Sequence, residues 1–178
     1  MIRKAMIEDI DQIENSYTEL LTYEKENGTN SNWVLNVYPT RSTAQNAFEE
    51  GTLYVLEENG KVCASMILNQ TQPKEYAGLD WTYKAEPEEV LVLHTLCIPP
   101  SAAGKGYGSQ MVGFTVDLAR KRGLKAVRLD TWEENKPAAS LYNKMGFKFA
   151  GSADVMLSNL IPERQIFFEL SLEQDLSL

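Results

Sequence analysis

The chain has 178 residues, a formal net charge of −8 and 43% hydrophobic residues. That length suits one domain over residues 1–178, with a core large enough to fold without staples. The acidity argues against nucleic acid or an anionic membrane as partner, since both call for a dominant basic surface, and is compatible with a cationic or amine ligand. Cys63 and Cys97 sit in apolar strand-like runs with no metal-type spacing, which reads as buried free thiols in a reducing compartment and no metal site. No apolar run reaches membrane-spanning length, and the first residues turn acidic at once without a signal-peptide core. The expectation is a cytoplasmic protein.

Residues 2–6 alternate as a short strand. Glu8 and Asp9 open a helix over about 8–26, with acids where the helix dipole favours them, and Ile10, Ile13, Tyr17, Leu20 and Leu21 make its apolar stripe. Asn27-Gly28 ends it. Residues 29–39 are polar, with Trp33, Val34, Val37 and Tyr38 interspersed, and a second helix covers 40–50 before Gly51. Strands at 53–57 and 61–68 are joined through Asn59-Gly60, a hairpin-turn signal. Residues 69–88 form a long aperiodic stretch holding Tyr76, Trp81 and Tyr83. Ordered loops of this length are often functional, so Trp81 and Tyr83 are candidates for substrate contact.

Residues 89–98 form a strand that is apolar on both faces. Val90, Val92, His94, Leu96 and Ile98 are expected on one face, and Leu91, Leu93, Thr95 and Cys97 on the other. Pro99-Pro100 stops it. Gly104, Gly106 and Gly108 then alternate before a helix that runs from about 108 to 122. The first N–H groups of a helix have no intrahelical partner, and glycine lets the backbone approach a ligand closely. The stretch Ala103-Gly104-Lys105-Gly106-Tyr107-Gly108-Ser109 is therefore a candidate anion cradle, with a plain glycine-rich turn as the alternative. The spacing fits neither the nucleotide-triphosphate loop nor the dinucleotide fingerprint. A strand at 126–132 and a helix with Pro137 near its start follow, then strands at 147–150 and 165–170 linked through 158–163.

Two stretches carry a family resemblance. Ala103-Gly104-Lys105-Gly106-Tyr107-Gly108 resembles the acyl-CoA loop of the GNAT N-acetyltransferase superfamily, Arg/Gln-x-x-Gly-x-Gly/Ala, with Ala103 standing where Arg or Gln is usual. Asn135 to Phe147 resembles the superfamily's second signature, Asn-x-x-Ala-x-x-x-Tyr-x-x-x-Gly-Phe, at every marked position. Together they cover about residues 90–150.

The resemblance implies an α/β (α+β) fold, with a mixed central sheet of about six to seven strands, about four flanking helices and a splayed parallel strand pair at the cofactor site. It implies acetyl-CoA as cofactor and direct acetyl transfer to an amine of a small molecule, peptide or protein. The pantetheine arm would pair with the backbone at Leu96, Cys97 and Ile98, the pyrophosphate would lie on the amides from Gly104 to Ser109, and Asn135 would make a polar contact. Tyr142 matches the tyrosine that protonates the leaving thiolate. For the base, His94 is the only histidine and titrates in a suitable range; Glu88 and Glu89 can act through water, and Asp130 and Glu133 are further options. The first two helices and their connection often shape the acceptor pocket, which singles out Trp33, Tyr38 and Tyr23. A homodimer is common among such proteins. The alternative is an acyl-CoA-binding sensor or interaction module on the same fold.

Overall fold

Alternating apolar residues in the first half of the chain build an antiparallel run. In the computed structural model, which describes residues 1–172, β1 (Ile2–Lys4) pairs with β2 (Leu53–Glu58), β2 with β3 (Lys61–Asn69), and β3 with β4 (Val90–Cys97). β5 (Ala126–Trp132) lies parallel to β4, and the hairpin of β6 (Lys148–Leu157) and β7 (Ile161–Ser171) completes a seven-stranded sheet in the order β1-β2-β3-β4-β5-β7-β6. Four α-helices flank it: α1 (Ile10–Asn27), α2 (Arg41–Glu49), α3 (Tyr107–Lys121) and α4 (Lys136–Lys144). Strand number, helix number and the parallel pair agree with the expected fold.

The helices divide by face. The stripe Ile10, Ile13 and Tyr17 of α1 packs with Ala44 and Ala47 of α2 against Leu53, Val55, Ile67 and Cys97. On the opposite face Met111, Val112 and Val116 of α3 and Tyr142 of α4 cover Met66, Leu91, Leu93, Val127, Leu129 and Phe168. Residues 70–89 are ordered on the α1 side. Tyr76, 2% exposed, packs on Val90, Val92, Ala126 and Phe167, with Leu79 and Trp81 against the same cluster.

Two sequence expectations change. The face assignment of β4 fails after His94. Ile67 faces His94 but Ser65 faces Cys97, so β4 carries one extra residue, a bulge centred on Thr95 at φ 49°. A β-branched residue in the left-handed region is strained, and the bulge reverses the alternation beyond it. Leu96 and Ile98 consequently join the cluster of Leu91 and Leu93, while Cys97 points into the α1–α2 side. The second change is at the end of the chain. The expected link at 158–163 is a tight turn at Ser158 and Asn159, both at positive φ, between strands far longer than expected. Only one face of that hairpin is covered, so residues 151–157 and 161–164 lack an apolar run that would mark a strand.

Candidate active site

The parallel pair is hydrogen-bonded only from Val90↔Ala126 to Leu93↔Leu129. Beyond that, β4 stays with β3 and β5 stays with β7, so the facing edges of 94–97 and 130–132 part. A cavity of about 520 Å³ fills the gap and runs through the sheet from one face to the other.

One mouth is built from Leu96, Ile98 and Ala103 together with Asn135, Pro137, Leu141 and Tyr142 of α4. The glycine loop meets it there. Gly104 and Gly106 both have φ 75° with open space where a side chain would stand, so backbone conformation demands glycine. At Gly108 the constraint is space: a Cβ would lie 3.1 Å from Leu141 and 3.4 Å from Ile98, a tight fit where α3 packs on α4 and the end of β4. No side chain caps α3, and among the described residues the amides from Gly104 to Ser109 find no acceptor; the first to do so is Gln110, which donates to Gly106 C=O at 3.2 Å. Asn135 caps α4 through Oδ1, accepting from Ala138 N–H at 3.2 Å, and lines the cavity.

The other mouth is held by a carboxylate. Glu24 continues the buried stripe of α1, is 6% exposed, and accepts from Thr29 Oγ1, the amides of Asn30 and Ser31, and Ser31 Oγ. These bonds fold residues 29–31 back and bring Trp33 and Tyr38 to the cavity, where they meet edge to face at 5.9 Å. Tyr38 Oη and Thr95 Oγ1 lie 2.6 Å apart, which ties this segment to the bulge.

Tyr142 belongs to the first of these mouths. Its ring packs on Phe168 and Phe147 and it is 4% exposed, yet its hydroxyl has no hydrogen-bond partner among the described residues and opens into the cavity. Burial, with the Asp130 charge behind it, holds this phenol above the ordinary tyrosine range, so it is protonated at neutral pH. Asp130 accepts a hydrogen bond from Tyr76 Oη at 2.7 Å, and burial, reinforced by Glu163 and Glu75, raises its carboxyl to about 6. His94 also lines the cavity, but burial pushes it down to about 4, and its Nε2 is engaged with Asn69 Oδ1 at 2.8 Å.

The sequence-derived candidates thus separate. Tyr142, His94, Leu96, Ile98, Ala103, Asn135, Trp33 and Tyr38 come together around the cavity. Cys97 does not line the cavity, its thiol being buried in the α1–α2 cluster. Lys105 is exposed, and Tyr107 turns its hydroxyl to Glu58 at 2.6 Å, away from the site. Glu89 is a correction: it precedes β4 at the far end from the gap and pairs with Lys125 at 2.6 Å. Trp81 and Tyr83 are corrected too. Trp81 stacks on Arg128 at 4.2 Å and donates to Tyr76 C=O, while Tyr83 C=O accepts from Arg128 and its ring lies under Lys125; both anchor the loop rather than line the cavity. Tyr23 is exposed at the surface. The residues missed are Glu24, Glu75 and Glu163. A charged residue continuing an apolar stripe three and four positions after Leu21 and Leu20 was the legible signal for Glu24; the other two sit in segments without periodicity.

A splayed parallel pair beside a glycine-rich helix start defines the class of acyl-CoA N-acyltransferase folds. The family profile described as Acetyltransferase (GNAT) family matches residues 10–147, and the chain belongs to that family. It is 30% identical over 115 residues, 65% of its length, to mycothiol acetyltransferase of Thermomonospora curvata. The chain spans between about a third and two fifths of the length of the first curated relatives it matches. A GNAT-family acetyltransferase from Streptococcus agalactiae superposes with a TM-score of 0.76 at 21% identity, covering 98% of this chain and 96% of that one. YncA from Salmonella typhimurium, solved with its cofactor acetyl-CoA, superposes with a TM-score of 0.68 at 17% identity, covering 99% of this chain and 96% of that one. Among the described residues no helix is long and apolar enough to cross a membrane.

Proposed function

We propose that the protein transfers an acetyl group from acetyl-CoA directly to an amine acceptor, residues 1–178 acting as one catalytic unit. One observation carries the reading: among the described residues, an unpaired stretch of β4 and a Tyr142 hydroxyl without a hydrogen-bond partner border a single cavity, and the free backbone donors of the glycine loop begin next to Ala103 at its edge. The donors at Gly104 to Ser109 suit a pyrophosphate, and the open β4 edge at Leu96 to Ile98 suits an extended arm with amide groups. Ala103 offers no side-chain donor there, so the cradle works through main-chain groups. When bound, acetyl-CoA supplies an activated acetyl thioester that an amine attacks, with release of the thiol.

The chain's own groups do the proton work. Asp130 accepts the amine proton at the carboxylate oxygen that Tyr76 leaves free, and Tyr76 holds that carboxylate in place. Asp130 releases to solvent the proton taken from the incoming ammonium, while Tyr142 donates its hydroxyl proton to the departing sulfur and regains one from the acylated nitrogen. Asp130 is assigned this role over His94 because a carboxyl near 6 is a stronger base than an imidazole near 4. A main-chain N–H at the β4 bulge supports the thioester oxygen as it gains charge.

The test is the melting temperature with acetyl-CoA, against ATP and NAD. A ligand that binds only the native state adds about 2.7 kcal/mol at a hundredfold excess over Kd. A rise with acetyl-CoA alone, followed by thiol release that depends on an added amine, is the expected result. No rise at millimolar acetyl-CoA overturns the reading.

A further inference from the structure

The chain treats its buried and half-buried carboxylates in two ways. Away from the cavity it pairs them with arginine: Asp9 with Arg3 at 2.7 Å and Glu169 with Arg128 at 2.9 Å. The cavity walls carry Glu24, Glu75, Asp130 and Glu163 and, among the described residues, neither lysine nor arginine. Glu24 is fully used by neutral donors of its own loop. The other three are not. Among the described residues, the Glu163 carboxylate has only two amides, Asn32 Nδ2 at 3.3 Å and Gln165 Nε2 at 3.0 Å, the Asp130 carboxylate has only the Tyr76 hydroxyl, and that of Glu75 has no hydrogen-bond partner. Both Glu75 and Glu163 lie close enough to Asp130 to disfavour its ionisation, and burial disfavours that of Glu163 itself. Half-buried carboxylates gathered on one cavity without a counter-ion repel one another, so a cation brought by the ligand relieves them.

Two further observations point the same way. The deeply buried Tyr142 aims its unpartnered hydroxyl into this same space, so the carboxylates share a cavity that already awaits a ligand. The walls of this cavity also carry Trp33, Tyr38, Trp132 and Met156, whose apolar surfaces suit an aliphatic spacer.

Resting on the acetyl-transfer reading, we propose that the acceptor is dicationic: a primary amine joined by a short aliphatic chain to a second ammonium or guanidinium group. The reacting amine stands at Asp130 beside Tyr142, and the second cation lies between Glu163 and Glu75. Asp130 thus serves one nitrogen and the two glutamates the other, and single-headed amines forfeit a charge-assisted contact.

The experiment compares 1,5-diaminopentane, 1-aminopentane and 5-aminopentanoate as acceptors at constant ionic strength, with wild type and Glu163→Gln. Expected is a kcat/KM at least ~10-fold higher for the diamine than for 1-aminopentane, with 5-aminopentanoate poorest, and a diamine-to-monoamine ratio that collapses toward one in E163Q. Without acetyl-CoA, the diamine should raise the melting temperature of wild type and not of E163Q. Equal use of the monoamine, preference for the carboxylate-bearing amine, or a ratio unchanged in E163Q overturns the proposal and leaves acetyl transfer standing. Acetyl-CoA binding with no transfer to any of the three also overturns it. Loss of the acetyl-CoA melting shift itself counts instead against the underlying function.

Discussion

Asp130→Asn separates chemistry from folding, because the two respond in opposite directions. Asparagine keeps an oxygen for the Tyr76 hydroxyl but cannot take a proton. In wild type the active form has ionised Asp130, so kcat/KM should rise with pH through about 6 and then level. Without the base, the amine must arrive already neutral. An aliphatic amine titrating near ~10.4 is neutral in only about one part in 2,500 at pH ~7. A loss of about 10²–10³-fold at that pH is expected, within the range found for general bases, and the limb should move from about 6 towards the amine's own pKa. Stability should change the other way. A carboxyl raised in the fold makes the protein most stable while protonated, and that stability is lost as pH climbs from ~4 to about 6. At neutral pH the ionised Asp130 therefore costs about 1–2 kcal/mol after allowing for its partial exposure to the cavity, so D130N should melt a few degrees higher. Steady-state pH–rate profiles and thermal melts at pH ~7.5 read both. A variant that keeps the limb near 6, or loses less than ~10-fold at neutral pH, removes Asp130 from the mechanism.

Four other outcomes follow from named contacts. Tyr142→Phe should lower kcat by about 10²-fold or more while leaving acetyl-CoA affinity within about twofold, as loss of an acid that acts only in the reaction requires; equilibrium binding and turnover, measured together, decide it. Glu163→Gln removes a neighbour that raises Asp130, so the acidic limb of the pH–rate profile should shift to lower pH. Arg128→Ala leaves Glu169 buried without its partner and frees the loop bound through Tyr83 and Trp81. A stability loss of about 3–5 kcal/mol is expected in denaturant unfolding. Gly108→Ala sets a helix gain of about 0.5–1 kcal/mol against a Cβ placed 3.1 Å from Leu141 and 3.4 Å from Ile98; a change within about 1 kcal/mol is expected, and a larger loss in melting temperature would show that α4 does not yield.

How far the sequence spoke varied along the chain, for physical reasons. The strand, glycine loop and helix at 90–121 were legible because proline, glycine and a sustained apolar period act locally, and Tyr142 was legible through the motif around it. The β4 bulge was not, since Thr95 carries no mark of a left-handed backbone. One unmarked residue therefore reassigned Leu96, Cys97 and Ile98 between faces. Trp81 and Tyr83 looked like ligand aromatics because a polar loop hides its anchor, which is Arg128 on a distant strand. Glu163 was out of reach for the same reason: it acquires its place only when β7 pairs with β5 and β6.

The parting of β4 and β5 gives the molecule an edge in the middle of its own sheet. Most sheets end in strands whose unpaired groups are guarded by charge, twist or a covering loop. Here the open edge lines a cavity and is bordered by seams that are themselves secure: β4 is zipped to β3, and β5 to β7. Among the described residues the two leaves are joined directly by the four residue pairs from Val90 to Leu93, extended at one end by the backbone bond from Lys125 N–H to Glu89 C=O. An extended ligand seated there lengthens that seam as well as filling a pocket. It turns two leaves hinged along a short spine into one continuous sheet, so occupancy and mechanical stiffness rise together.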